Sequence, residues 1–353
     1  MSIPRARKAL DGIPAYRAGK PALTEAHKLS SNENPYAPLP GVMERAGIEL
    51  ARINRYPDAG MTVLHEALSE RFGLPTDHFA AGTGSVAVLF ALLSAHLEAG
   101  DEIVHAWRSF EAYPIAADLT GATSVRVPLR PDATHDLEAM AAAVTDRTKV
   151  VLVCTPNNPT GPVVTAAELS AFLAAVPGHV LVVVDEAYVE FVRDPEAASG
   201  LAALAEHDNV VVLRTFSKAY GLAGLRIGYA IAHPEIAASI RKATPPFAVT
   251  DLSQAAAVAS LEAQEALDER VELIVQERVA VVETLRKQGW DVPDTEANFV
   301  WLPLGEDAMD FALACDPVSV RPFLGEGVRV SIGMPEVNAQ LVALAGQWLE
   351  ARA

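Results

Sequence analysis

The sequence predicts an α/β fold: a mostly parallel central sheet with helices on both faces, a small α+β C-terminal unit, and an N-terminal arm. Three observations predict it. Runs such as Val150–Cys154, Val180–Val184 and Val210–Leu213 are apolar on successive residues and largely β-branched, the pattern of strands covered on both faces. Between and around them lie segments with apolar residues at helical spacing, such as Ser85–Leu97 and Thr165–Val176, each ending near Gly or Pro. The alternation persists over about 200 residues, which argues for parallel strands joined by crossover helices.

Taken in order, residues 1–30 are punctuated by Pro and Gly and only weakly periodic, so they read as an arm held down by contacts made elsewhere. Residues 31–249 carry the alternating pattern and form the large domain. The stretch Ser253–Gln288 has neither Pro nor Gly and keeps helical spacing, so it is one long helix, or two joined by a bend, leading into a unit of residues 250–353. Beyond Gly289 the pattern gives a strand over Asn298–Leu302, a helix over Asp307–Ala314, short strands over Val318–Arg321 and Val328–Ile332, and a last helix from Pro335.

Composition excludes several classes of function. With 28 Lys and Arg against 45 Asp and Glu, the net charge of −17 repels nucleic acid and anionic membrane surfaces. The two cysteines, Cys154 and Cys315, lie far apart and suit a reducing cytoplasm better than a disulfide framework. The opening residues Met1-Ser2-Ile3-Pro4-Arg5 lack an apolar core, and no apolar run approaches the roughly 20 residues that a membrane span needs. The expectation is a cytoplasmic protein with no nucleic-acid or membrane partner and no metal.

In an open parallel sheet, ligands bind beyond the carboxyl ends of the strands, so polar residues that directly follow apolar runs carry the search for a site. Three such junctions stand out: Thr155-Pro156-Asn157-Asn158-Pro159-Thr160-Gly161, Asp185-Glu186-Ala187-Tyr188 and Thr215-Phe216-Ser217-Lys218. Singly, the first reads as a turn, Asp185 as a helix N-cap and Lys218 as a surface lysine. Together they supply what a pyridoxal cofactor needs. Lys218, read here as lying on a strand-to-helix turn, offers an amine to the cofactor aldehyde. Asp185 offers a carboxylate to the ring nitrogen, and charges about 4 Å apart at an effective dielectric near 20 interact by roughly 4 kcal/mol, about three pK units. Arg226, eight residues beyond Lys218, offers a guanidinium fork to a phosphate. The turn Gly82-Thr83-Gly84-Ser85 opens a helix, so the amides around Gly84 and Ser85 offer donors to the same group.

These pieces, with Leu29-Ser30-Ser31-Asn32-Glu33-Asn34-Pro35-Tyr36, Arg55-Tyr56-Pro57-Asp58, the run Ser217–Arg226 and Val328-Arg329-Val330, give nearly the whole chain a resemblance to the fold type I pyridoxal 5'-phosphate (PLP) aminotransferases. The likeness is to the branch of histidinol-phosphate and aromatic amino acid aminotransferases. It implies that Lys218 holds PLP as a Schiff base and shuttles the proton, and that Asp185 pairs with the ring nitrogen. It also implies that Asn158 and Tyr188 bond the ring hydroxyl oxygen, and that Phe110 stacks on the ring. Thr215, Ser217, Arg226, Gly84 and Ser85 would bind the phosphate, with Tyr56 donated by the second subunit of a homodimer. Arg329 would take the substrate α-carboxylate, Asn298 holds a related strand position, and Tyr16, Asn32 and the arm would fold over the mouth.

Histidinol-phosphate enzymes of this branch usually carry an acidic pair after the Gly-x-Gly-Ser turn, whereas here the turn continues Val86-Ala87-Val88. That continuation, with Trp107–Pro114 and Val320-Arg321-Pro322-Phe323, is more similar to actinobacterial-type aromatic (phenylalanine) aminotransferases. The resemblance therefore implies transfer from aromatic amino acids to 2-oxoglutarate by a ping-pong route. Histidinol-phosphate transamination is the alternative, because Arg321 could receive a phosphate or a distal carboxylate, and a PLP decarboxylase on the same scaffold is a third reading.

Overall fold

The computed structural model describes residues 27–352 together with Pro4 and Thr24, so Tyr16 and most of the arm lie outside the described residues. Among the described residues, seven strands form the central sheet: β1 (Phe79–Gly82), β2 (Glu102–Trp107), β3 (Thr123–Pro128), β4 (Thr148–Cys154), β5 (Leu181–Asp185), β6 (Val210–Thr215) and β7 (Gly228–Ala232). Their spatial order is β1-β7-β6-β5-β4-β2-β3. Strands β2 to β6 are mutually parallel, and β7 runs antiparallel to both β6 and β1.

The apolar runs behave as strands buried on both faces. Val151 and Val153 of β4 join one core while Val150, Leu152 and Cys154 join the other. The helix Ser85–His96 sends Val88, Leu89 and Leu92 into the second core. The helix Ala166–Ala175 packs Leu169 and Phe172 into the first, and it starts from a capping box in which the Thr165 hydroxyl accepts from the Glu168 amide. Both lie within the segments that periodicity predicts.

The turn holding Lys218 differs from the expectation. No crossover helix follows β6. The chain passes through a turn, with Gly221 at φ 72°, and a single 3-10 turn at Ala223–Leu225, then doubles back as β7. The link is too short and too broken to carry a crossover helix, so the next strand must run antiparallel. Asp185 is no helix cap either. It ends β5, and only a 3-10 turn at Val189–Phe191 follows.

The connector is two helices, Asp251–Glu262 and Gln264–Gln288, joined at Ala263 where ψ turns to 39°. Beyond it, β8 (Phe299–Gly305), β9 (Arg321–Phe323) and β10 (Glu326–Ser331) make an antiparallel sheet in the order β8-β10-β9, with the helices Ala308–Ala314 and Pro335–Glu350. The strand predicted at Val318–Arg321 begins only at Arg321, because the Ser319 backbone is already bonded to His27 and Leu29. The same contact tethers the chain where it leaves the arm. Among the described residues no helix is long and apolar enough to cross a membrane.

Candidate active site

The carboxyl ends of β4, β5 and β6 lie side by side, with Cys154 opposite Asp185 and Asp185 opposite Leu213 in the register. The loops leaving them therefore converge on one cavity of about 330 Å³. Asn32, Ser85, Phe110, Asn158, Asp185, Tyr188, Thr215, Ser217, Lys218, Arg226 and Arg329, all expected from the sequence, line it.

Among the described residues no carboxylate forms an ion pair with Lys218. Its Nζ donates to the Ser31 carbonyl at 3.1 Å. Asn34 Nδ2 fixes the turn beneath it by donating to the Ala219 carbonyl at 2.8 Å. Burial pulls the ammonium down to about 7, the Arg329 and Arg226 guanidiniums push the same way, and Glu33 opposes them. An amine so placed is substantially neutral near neutral pH, as a nucleophile or proton carrier must be.

Asp185 shows the opposite strain. Its Oδ2 accepts from the Tyr113 hydroxyl at 2.8 Å, while Oδ1 is buried with no hydrogen-bond partner among the described residues. Burial raises the carboxyl to about 6 against the Tyr113 and Ala187 hydrogen bonds. A buried carboxylate oxygen without a donor, on a residue that lines the cavity, is costly until a cation or N–H meets it.

At the other end of the cavity, backbone and guanidinium close on a small space. A Cβ on Gly84, itself at φ 88°, would lie 2.6 Å from Arg226 Nη2, and one on Gly228 would lie 2.3 Å from the Ser85 amide nitrogen. The backbone contact at Gly228 and the positive φ at Gly84 each call for glycine. Arg226 is itself left-handed at φ 50°, an uncommon conformation for a bulky residue, and its Nη1 donates to Ser217 Oγ at 3.3 Å and the Ala223 carbonyl at 2.9 Å. The first turn of the helix at Ser85, the Thr215 and Ser217 hydroxyls and this guanidinium border the same cavity and could donate to one anion.

Along the third wall, Arg329 Nη1 donates to Asn158 Oδ1 at 2.6 Å and Nη2 to the Ser30 carbonyl at 2.8 Å. Tyr188 OH accepts from Asn32 Nδ2 at 3.0 Å, and burial raises its phenol above the usual range, so its proton stays available as a donor. Phe110 packs edge-on against Tyr113 at 5.6 Å.

Three expected residues sit apart from the cavity. Asn298 is fully buried and donates to the Asn32 carbonyl at 3.2 Å, so it supports the wall from behind. Arg321 is not among the residues lining the cavity, and its Nη2 donates to Glu111 Oε2 at 2.9 Å. Tyr56 is 81 % exposed and stacks on Phe247 at 4.7 Å, lining a separate surface groove. Tyr113 and the Ser30 and Ser31 carbonyls escaped the sequence reading. Tyr113 belongs to the Trp107–Pro114 segment, but no spacing rule aims its hydroxyl at Asp185, and backbone carbonyls carry no residue-type signal.

The family model for aminotransferases of class I and II matches residues 24–342. The chain belongs to this family. It is an aminotransferase, and an aromatic amino acid aminotransferase of Streptomyces avermitilis is 59 % identical over 95 % of this chain and 95 % of that one. The corresponding protein of Thermobifida fusca is 55 % identical over 97 % of this aminotransferase and 96 % of its own length. Among solved structures, histidinol-phosphate aminotransferase of Sinorhizobium meliloti in complex with PLP superposes with a TM-score of 0.88 at 26 % identity, covering 100 % of this chain and 99 % of the other. A mutant aspartate aminotransferase of Thermus thermophilus gives 0.82 at 25 % identity, with 98 % and 99 % covered. These superpositions agree with the central sheet and the small C-terminal sheet predicted from the sequence.

Proposed function

We propose that this aminotransferase moves the amino group of phenylalanine, tyrosine or tryptophan to 2-oxoglutarate, using PLP bound at Lys218. The observation that carries the chemistry is a single cavity lined by a depressed lysine amine, a buried carboxylate oxygen without a donor, and an anion cradle. Those three groups fit an aldehyde, a ring nitrogen that wants a proton, and a phosphate. The aromatic donor is supported by relatives of that name at 55–59 % identity over nearly the full chain.

Bound PLP supplies an aldehyde carbon and an electron-accepting ring. Asp185 Oδ1 would hold the proton on the ring nitrogen, with Tyr113 fixing the carboxylate. Arg226, Ser85, Thr215, Ser217 and the amides at Gly84 would hold the phosphate, and Phe110 would cover a ring face. Tyr188 and Asn158 would bond the ring oxygen, and Arg329, oriented by Asn158 and Ser30, would take the substrate α-carboxylate through a charge-assisted pair that contributes about 1.5–3 kcal/mol. Lys218 Nζ would carry the proton between the substrate α-carbon and C4′ of the cofactor.

Residues 31–249 would form the cofactor domain and residues 250–353 the connector and small domain. A homodimer is supported by the exposed Ile48, Tyr56 and Val63, which line one surface groove that a second copy would cover while receiving Tyr56 at its phosphate. The buried free thiols Cys154 and Cys315 suit a reducing cytoplasm.

Two measurements test this reading. Purified enzyme offered phenylalanine, tyrosine and histidinol phosphate with 2-oxoglutarate is expected to favour the aromatic donors by roughly tenfold or more in kcat/KM. A preference for histidinol phosphate selects the alternative, and carbon dioxide release without a new oxo acid selects a decarboxylase. Cofactor-free enzyme is expected to take up PLP faster as pH rises through about 7, because the folded amine loses its proton there and not near the usual 10.5. An uptake rate that climbs only above about pH 9 would count against Lys218 as the acceptor.

A further inference from the structure

The loops leaving β2, β3 and β4 meet at one buried side chain, that of Asn157. Its Oδ1 accepts from Ser109 Oγ at 2.8 Å and its Nδ2 donates to the Arg108 carbonyl at 3.1 Å, so both ends of the amide hold the loop after β2. Nδ2 also donates to Thr160 Oγ1 at 2.7 Å, and that hydroxyl donates in turn to the Ala133 carbonyl, in the loop after β3, at 3.1 Å. His135, buried in the same loop as Ala133, has its Nε2 3.3 Å from Asn157 Oδ1.

The orientation of the amide follows from these partners. A carbonyl only accepts, so the Asn157 nitrogen must face Arg108 and the oxygen must face Ser109 and His135. His135 therefore carries its proton on Nε2, and burial, which pulls the ring down to about 4, keeps it neutral. The turn that contains Asn157 closes without the side chain, through bonds from the Asn157 amide to the Pro162 carbonyl and from the Gly161 amide to the Asn157 carbonyl. What the side chain adds is the connection between loops.

Ser109 directly precedes Phe110 and Asn157 directly precedes Asn158, and both Phe110 and Asn158 line the cavity. We propose that Asn157 is a positioning residue that locks Phe110 and Asn158 into one unit, so that the aromatic cover on the cofactor ring and the group bonding the ring oxygen keep a fixed spacing. This deepens the reading above and rests on it for PLP and for the roles of Phe110 and Asn158. A ring held at one face and one edge keeps its tilt only while those two contacts cannot shift relative to each other. The Asn157 amide suits that task because both its donors and both its acceptor positions are used, and Ser109 and Thr160 are buried with it. Moving either loop would leave polar atoms without partners or water.

The test is a double-mutant cycle on the full chain, stripped of cofactor and titrated with PLP, as wild type, Asn157→Ala, Phe110→Leu and the double variant. The readouts are the PLP dissociation constant and the visible circular dichroism per bound cofactor. Each single variant is expected to weaken PLP by about tenfold, and the double variant by well under the roughly hundredfold of independent losses. The dichroism of Asn157→Ala should fall toward that of Phe110→Leu. If the losses multiply, or if Asn157→Ala keeps the wild-type dichroism, Asn157 is only structural and the proposal is overturned while the PLP reading stands. If wild type binds PLP but Phe110→Leu changes neither readout, the role of Phe110 falls and the proposal with it. A wild type that takes up no PLP overturns the cofactor reading itself, and this inference too. Should Asn157→Ala fail to fold, Ser109→Ala, which removes one bond of the four, replaces it in the cycle with an expected loss of about threefold and the same requirement for coupling to Phe110.

Discussion

Lys218→Ala is expected to lower transamination turnover by about 10³- to 10⁴-fold, the scale at which a lost proton carrier and covalent anchor act together. Among the described residues that line the cavity, Lys218 is the one lysine. Arg226 and Arg329 cannot replace it, because a guanidinium is a poor nucleophile. Turnover would be followed alongside near-visible absorbance and the mass of borohydride-reduced protein. Wild type should gain the reduced cofactor at residue 218 and the variant should not. The variant should also recover part of its rate when a small primary amine is added, since the folded cavity is left with room where the side chain was. Turnover within about tenfold of wild type, or cofactor fixed on another side chain, would remove Lys218 from the centre of the site.

Asp185→Asn is expected to cost nearly as much, about 10³-fold in turnover, with a smaller change in cofactor retention. Its physical basis is the pairing of a buried carboxylate with a ring cation, roughly 4 kcal/mol or three pK units at an effective dielectric near 20. The free carboxyl already sits at about 6 because burial penalises its charge, so the folded protein carries a cost that a cationic partner at Oδ1 relieves. Asparagine keeps the shape and can still meet the Tyr113 hydroxyl, but it cannot hold a proton on the ring. Cofactor absorbance should therefore show a ring nitrogen that titrates at lower pH. A variant that keeps turnover within about tenfold, or an unchanged absorbance titration, would show that the carboxylate is not the ring's counter-ion.

What the sequence made legible followed from topology. Asn158, Asp185 and Lys218 each come directly after an apolar run, and parallel neighbours bring their carboxyl ends to one edge, so three separate junctions collapse into one cavity. Other features depended on information that periodicity does not carry. The run Gly228–Ala232 is as apolar as its neighbours, yet nothing in it says that it runs the other way. The strand expected at Val318–Arg321 starts late, at Arg321, because the Ser319 amide and carbonyl are taken by His27 and Leu29, nearly 300 residues away in sequence. Asn298 was placed near the right wall but serves the Asn32 carbonyl, a contact between residues that no local pattern links. The bend in the connector was open as an alternative, and only the structure locates it at Ala263.

The reversed strand also governs when the proposed anion cradle can exist. Because β7 is inserted between β1 and β6, the edge strand Phe79–Gly82 pairs in the sheet with β7 alone. A nascent chain still short of Gly228 therefore leaves that edge without its sheet neighbour, with the helix start at Ser85 not yet set against the Arg226 loop. Closing so long a loop comes late and slowly. The strands β2 to β6 need nothing beyond Thr215 to pair with one another, whereas β1 gains its sheet neighbour only when the chain folds back through Gly228–Ala232.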